Sequence, residues 1–170
     1  MLSAKMTEAF NRQINAEFFS GYLYLSMSAF FKSRGLDGFA SWMRQQCQEE
    51  LFHGMKMFDF VNERGGRTMM TAIDQPATEW DSVLAVFAET LAHEQKVTGM
   101  INDLVNLAMD ERDHASTIFL QWFVSEQVEE EATAGGIVDK LKLINNDPNG
   151  ILMLDRELGQ RIFTLPTGRE

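Results

Sequence analysis

The sequence predicts an all-α fold, a bundle of four long helices followed by a short fifth, on three observations. Only 3 residues of 170 are proline while 11 are methionine and 13 phenylalanine, a balance that leaves long helices unbroken and supplies adaptable apolar contacts. Apolar residues recur at alternating spacings of three and four, the period of a helix that buries one stripe. Turn-forming clusters at Arg34-Gly35-Leu36-Asp37-Gly38, at Gly65-Gly66 and at Asp147-Pro148-Asn149-Gly150 cut the repeats into pieces. With 45% hydrophobic residues, residues 1–170 suffice for one substantial core and are expected to form a single domain.

The breakers place α1 over 4–33, α2 over 37–64, α3 over 81–110, α4 over 113–144 and α5 over 151–159. The α1–α2 and α3–α4 links are short, so each pair forms an antiparallel hairpin. Residues 65–80 differ, because extended they span about 50 Å while a helix the length of α2 spans about 42 Å. That link is expected to run the length of the bundle and leave α2 and α3 parallel.

The formal charge of −10 argues against a nucleic-acid partner, since phosphate backbones are bound by clustered Lys and Arg. It suits either plain solubility or attraction of cations. Cys47 is the only cysteine, so no intrachain disulfide forms. No leader pattern or apolar run long enough to span a bilayer is read, and a cytoplasmic protein without membrane contact is expected.

Each core stripe carries an interruption near its helix midpoint. α1 reads Phe10, Ile14, Glu17, Gly21, Tyr24, Ser28, Phe31, and α2 reads Phe39, Met43, Gln46, Glu50, His53, Met57, Phe60. α3 reads Leu84, Phe87, Leu91, Glu94, Thr98, Ile101, Val105, and α4 reads Leu120, Phe123, Gln127, Glu130, Ala134, Ile137, Leu141. Midpoints of similar helices lie at one level in a bundle, so Glu17, Glu50, His53, Glu94, Gln127 and Glu130 should converge inside. Buried carboxylates repel one another and are costly to desolvate unpaired. One histidine cannot neutralise four glutamates, and no seam holds Lys or Arg at this level, which leaves bound metal as the compensating charge. Carboxylate oxygens with one imidazole suit Fe, Mn or Zn. The spacing assigns Glu50 as a bridge between two metals, Glu17 and His53 to one, Glu94 and Glu130 to the other, with Gln127 holding a water or peroxide nearby. The competing reading is a set of surface charges or a salt-bridged network.

The Glu50-Leu51-Phe52-His53 run, with Glu17, Glu94, Gln127 and Glu130, resembles the di-iron ferroxidase centre of non-haem bacterial ferritins. The likeness covers essentially the whole chain, including the long crossover and the terminal α5. It implies a ferritin-like four-helix bundle that oxidises Fe(II) with oxygen or hydrogen peroxide and stores Fe(III) mineral inside a homo-oligomeric shell of about twenty-four subunits. Tyr24, seven residues after Glu17, resembles the family's redox-active tyrosine, although a buried tyrosine bonded to a core acid is an equal alternative. Trp122 is a second possible electron donor or simply a core filler. Glu49, Glu126 and Glu129 are similar to a third iron site on the cavity side, or else form a solvated acidic face. Asp110, Glu111 and Asp113 line an iron inlet or merely solvate a turn. His93 and His114 are read as surface or interface residues.

Departures from neighbouring families narrow the resemblance. Bacterioferritins carry a second Glu-x-x-His on the fourth helix and a haem-ligating methionine after the second helix glutamate. Gln127 with Glu130, and Leu51, stand there instead, so haem is not expected at that position. Mini-ferritins that protect DNA build their site between subunits, against the seam placement here. A rubrerythrin-like oxidase would carry a second fourth-helix histidine or a cysteine-rich domain, and neither is present. A non-enzymatic helical interaction module stays open. Ile151, Leu152, Met153 and Leu158 give α5 apolar surface for contact near a symmetry axis, or for packing on its own bundle.

Overall fold

Helix α1 starts where Ser3, in extended backbone, accepts the Met6 N–H on its hydroxyl at 3.0 Å. In the computed structural model, which describes residues 1–164, the helices are α1 Ala4–Ser33, α2 Asp37–Glu63, α3 Val83–Asp110, α4 His114–Ile144 and α5 Pro148–Leu158. Residues 165–170 of the expected 1–170 span lie outside the described residues. α3 begins two residues later than expected because Ser82 is its cap, accepting Ala85 N–H at 3.0 Å. α5 begins three residues earlier. Asp147 caps it through Gly150 N–H at 2.8 Å and Pro148 takes the first helical turn, where its missing donor is not needed. The Asp-Pro-Asn-Gly cluster read as a breaker is thus the start of the helix.

The crossover climbs beside α1. Asn11 donates to Arg67 O at 3.0 Å and accepts Met69 N–H at 2.9 Å, Asn15 donates to Ala72 O at 3.0 Å, and Ser26 donates to Ala77 O at 2.6 Å. It finishes with Trp80 edge-on to Phe30, ring centroids 5.1 Å apart. Successive links fall on successively later residues of α1, so the segment travels the length of the bundle and leaves α2 and α3 parallel, as expected. None of the described helices is long and apolar enough to cross a membrane.

The core is two apolar clusters with a polar layer between them. One holds Phe30, Phe31, Phe39, Trp42, Met43, Phe87 and Leu141; the other holds Met6, Phe10, Ile14, Met57, Val61, Ile101, Leu120 and Phe123. All the stripe residues expected for α1 and α4 are buried. α3 differs, burying Val86, Thr90, Val97, Leu104 and Ala108 as well as Phe87, Glu94 and Ile101, while Leu84, Leu91, Thr98 and Val105 are only partly covered. The buried stripe Phe87, Thr90, Glu94, Val97, Ile101, Leu104, Ala108 keeps the alternating spacing of three and four but is rotated toward the preceding residue, with Thr90, Val97 and Leu104 buried ahead of Leu91, Thr98 and Val105.

Candidate metal centre

The polar layer depends first on how closely α1 and α2 approach. Beside His53 lies Gly54, where an added Cβ would stand 2.6 Å from the Phe18 ring, so any larger residue would push that ring aside. Glu50 and His53, three apart on α2, then face Glu17 across the gap. These three are buried and offer ligand atoms all within 4.8 Å of one another.

His53 Nδ1 stands 3.6 Å from Glu50 Oε2 and 3.8 Å from Glu17 Oε2. Those separations are too long for hydrogen bonds, and the ring is not a cation. Burial, helped by the Lys56 charge, lowers its pKa to about 4, so at neutral pH the imidazole is uncharged and has a lone pair to give. Its Nε2 is buried without a hydrogen-bond partner among the described residues.

Burial raises the pKa of Glu17 to about 7 against hydrogen bonds to Glu50 and Gln13, and that of Glu130 to about 8, with the Glu94 charge adding. Glu50 is held well above the usual carboxylate range, by burial and then by the charges of Glu94 and Glu17. Glu94 is raised as well, chiefly by burial. Such groups take up protons unless a multivalent cation supplies the charge instead.

Glu94 and Glu130 lie buried in the same layer but belong to neither set of groups in mutual ligand reach among the described residues. Neutral donors hold them. The Tyr24 hydroxyl donates to Glu94 Oε1, Gln127 donates to Glu94 Oε2 at 3.2 Å, and Gln46 donates to Glu130 Oε2 at 2.6 Å. Gln13 does the same for Glu17 at 2.7 Å. Gln13 and Gln46 were not counted as site residues from sequence, although Gln46 stands on the α2 stripe one turn before Glu50, a signal that could have found it.

A second set in mutual reach is Glu49, His53 and Glu126, so His53 belongs to both. Glu129 is exposed and outside the set, though its charge helps raise the pKa of Glu126 and Glu49, in which burial is the larger cause. Trp122 packs edge-on to His53 with centroids 5.4 Å apart and carries Lys56 Nζ 4.0 Å above its ring. His93 is half-buried, bonded to Ser20 Oγ at 2.8 Å, and His114 is exposed at the first position of α4. Asp113 is the α4 cap, accepting Ser116 N–H at 3.1 Å and pairing with Arg64 at 3.0 Å, and Glu111 accepts from the Ser3 hydroxyl. Both have structural partners.

An uncharged imidazole with an unused nitrogen, beside carboxyls that burial keeps protonated, is chemically suited to bind a divalent cation and release protons as it does so. Set in a four-helix bundle with one long crossover, that layer defines the ferritin-like class, for which this topology is a known example. The model of the ferritin family, its ferritin-like domain, matches residues 7–144. The chain is 47% identical over 161 residues to the bacterial non-heme ferritin of Bacteroides fragilis, covering 95% of this chain and 100% of that one. It is 41% identical to that of Staphylococcus saprophyticus, covering 96% and 98%. Among solved structures, the open pore ferritin of the hyperthermophilic archaeon Archaeoglobus fulgidus superposes with a TM-score of 0.94 at 57% identity, covering 95% of this chain and 100% of that one. An engineered closed form of the same archaeal ferritin gives 0.95 at 58% identity, covering 96% and 100%. The chain belongs to the ferritin family and is an iron-storage ferritin subunit.

Proposed function

We propose that the chain is a ferroxidase, oxidising Fe(II) at the buried layer and passing Fe(III) to a mineral inside a shell of about twenty-four copies. The observation that carries this reading is the buried Glu17–Glu50–His53 set, whose neutral imidazole and protonated carboxyls await a positive charge. Iron is here the substrate. Glu17 and His53 hold one ion, Glu50 bridges, and Glu94 with Glu130 receives the second by turning from Tyr24, Gln127 and Gln46. Two Fe(II) ions give two electrons to one oxygen molecule, which takes two protons and leaves as hydrogen peroxide; with hydrogen peroxide as oxidant the products are two waters.

The chain's own part is to keep the layer dry between two apolar clusters, to give up carboxyl protons as iron arrives, and to keep amide donors at hand. Gln127, whose amide also reaches Thr98 Oγ1 at 3.3 Å, is placed to orient a water or peroxide. Tyr24 bonds Glu94 and is raised well above its usual pKa by burial, so it remains a phenol and a reserve electron donor. Glu49, Glu126 and Glu129 make up a third iron position. No haem is part of the proposal, and the compartment proposed is the cytoplasm.

Glu50→Ala is expected to abolish fast oxidation, read by stopped-flow absorbance with rising Fe(II) per subunit. The native burst should end near about two or three equivalents. Unchanged initial rates in the variant would refute the bridging assignment. Iron analysis after aerobic loading separates storage, with iron far beyond the number of sites, from a plain di-iron oxidase or a metal-free helical module.

A further inference from the structure

Beyond α5 the chain turns back onto α2, and Arg161 reaches the rim of the polar layer. Its guanidinium donates to Glu49 Oε2 at 2.5 Å and to Gln46 Oε1 at 2.5 Å, and lies 4.7 Å from the Trp42 ring centroid. The segment is fixed again at Phe163, whose N–H donates to Gln45 Oε1 at 2.8 Å and whose ring lies 6.3 Å from that of Phe52. With its carbonyl oxygen taken by Arg161, the Gln46 amide must turn its NH2 inward, where it meets Glu130 at 2.6 Å.

Glu49 therefore faces two cationic claims. It is the carboxylate that Arg161 grips, and one of the three groups, with His53 and Glu126, whose ligand atoms lie within 4.8 Å of one another. A divalent ion seated in that set would stand close to a guanidinium bound to the same carboxylate, and like charges at such range repel strongly in a partly buried setting. His53, nine-tenths buried, keeps a ring nitrogen without a hydrogen-bond partner among the described residues, and the Arg161 guanidinium, spent on Gln46 and Glu49, does not bond to it.

We infer that Arg161 is a competing cation built into the chain, which holds Glu49 until a metal ion in the Glu49–His53–Glu126 set displaces it. Its departure releases the Gln46 carbonyl, so the Gln46 amide is free to turn and Glu130 loses its fixed donor. Occupation of the rim is thereby coupled to the freedom of a carboxylate in the inner layer. The inference rests on the reading of Glu49 and Glu126 as a third iron position.

The test is calorimetric titration of Zn2+ into the assembled, metal-free protein, native and Arg161→Ala, with Arg161→Lys keeping charge without the forked donor. Glu49→Gln marks which class of bound zinc belongs to the rim, as the class it removes. The expected result is that this class tightens about tenfold in Arg161→Ala and less in Arg161→Lys. Saturating zinc should also shift the native tryptophan emission toward that of Arg161→Ala, because the guanidinium leaves Trp42. Equal rim affinity in all three proteins would overturn the inference while leaving the third position standing. If neither native nor Arg161→Ala protein shows a class that Glu49→Gln removes, the third position falls and the inference with it, whereas retained tighter zinc keeps the inner site. Thermal melting of each variant, monitored by circular dichroism, confirms that the comparison is made on folded protein.

Discussion

Glu17 and Glu130 titrate near pH 7 and 8 because burial outweighs the amide donors that face them. In the unfolded chain both lose their protons near 4.5, so above that pH the folded state holds protons that the unfolded state has released. Their contribution to the stability of the metal-free protein therefore falls as pH rises through about 7 for Glu17 and about 8 for Glu130, and each levels off beyond its own value. His53 acts in the opposite sense. Its folded pKa of about 4 lies below the unfolded 6.5, so its cost is felt only as pH drops below 6.5. Between pH 6.5 and 8 the carboxyls decide, Glu17 and Glu130 together losing about 2 kcal/mol. Scanning calorimetry of metal-free protein should give a lower Tm at pH 8 than at 6.5, and saturating Zn2+ should reverse the order. Glu17→Gln together with Glu130→Gln should weaken the dependence, leaving the part carried by Glu50 and Glu94, whose carboxyls burial also raises; a native Tm that climbs over this interval would contradict these protonation states.

Among elements, α5 shows how much a single glycine and a single acid determine. α2 begins at Leu36, which offers no side-chain cap, and the cap comes from α5 instead: Asp155 Oδ1 accepts the Phe39 N–H at 2.8 Å. The approach requires Gly38, since a Cβ there would stand 1.6 Å from the Asp155 carbonyl oxygen. Leu154 and Leu158 are buried by this docking, so the expectation that Leu158 is free for contact near a symmetry axis does not hold, while Leu152 and Met153 remain exposed. The reason is the helical period, which puts Ile151, Leu154 and Leu158 on one face. Asp155→Ala should cost about 1 kcal/mol through loss of the cap. Gly38→Ala should cost more, about 2 to 3 kcal/mol, because backbone has to move. Chemical denaturation of the two variants checks the order. Equal midpoints would mean that α5 docks without this contact.

For the molecule as a whole, the sequence made legible what is periodic and left out what is not. Helix number, the crossover, and the stripes of α1 and α4 follow from spacing, as does the burial of Glu17, Glu50, His53, Glu94, Gln127 and Glu130. The rotation of α3 did not, since two adjacent stripes compete along it. Arg161 was beyond reach altogether: it follows the last helix and finds Gln46 across 115 residues, and no local pattern records such a contact. What periodicity leaves over is the outward surface, where Tyr22, Leu25, Met69, Met70 and Ile73 are exposed on α1 and the crossover. Tyr22, Leu25, Ile73 and Pro76 line one recess. An apolar patch of that kind needs a partner, and a second copy of the chain supplies one if subunits pair about a two-fold axis. Leu25→Glu would then bring a carboxylate from each copy into the contact, where like charges cost several kcal/mol. Because Leu25 is 46% exposed, the subunit itself should fold with native helicity by circular dichroism. Sedimentation velocity should shift from the proposed shell to small species, and aerobic iron loading should then yield precipitate in place of soluble mineral. A variant that sediments as the native protein does would show that this face lies outside the contacts between subunits.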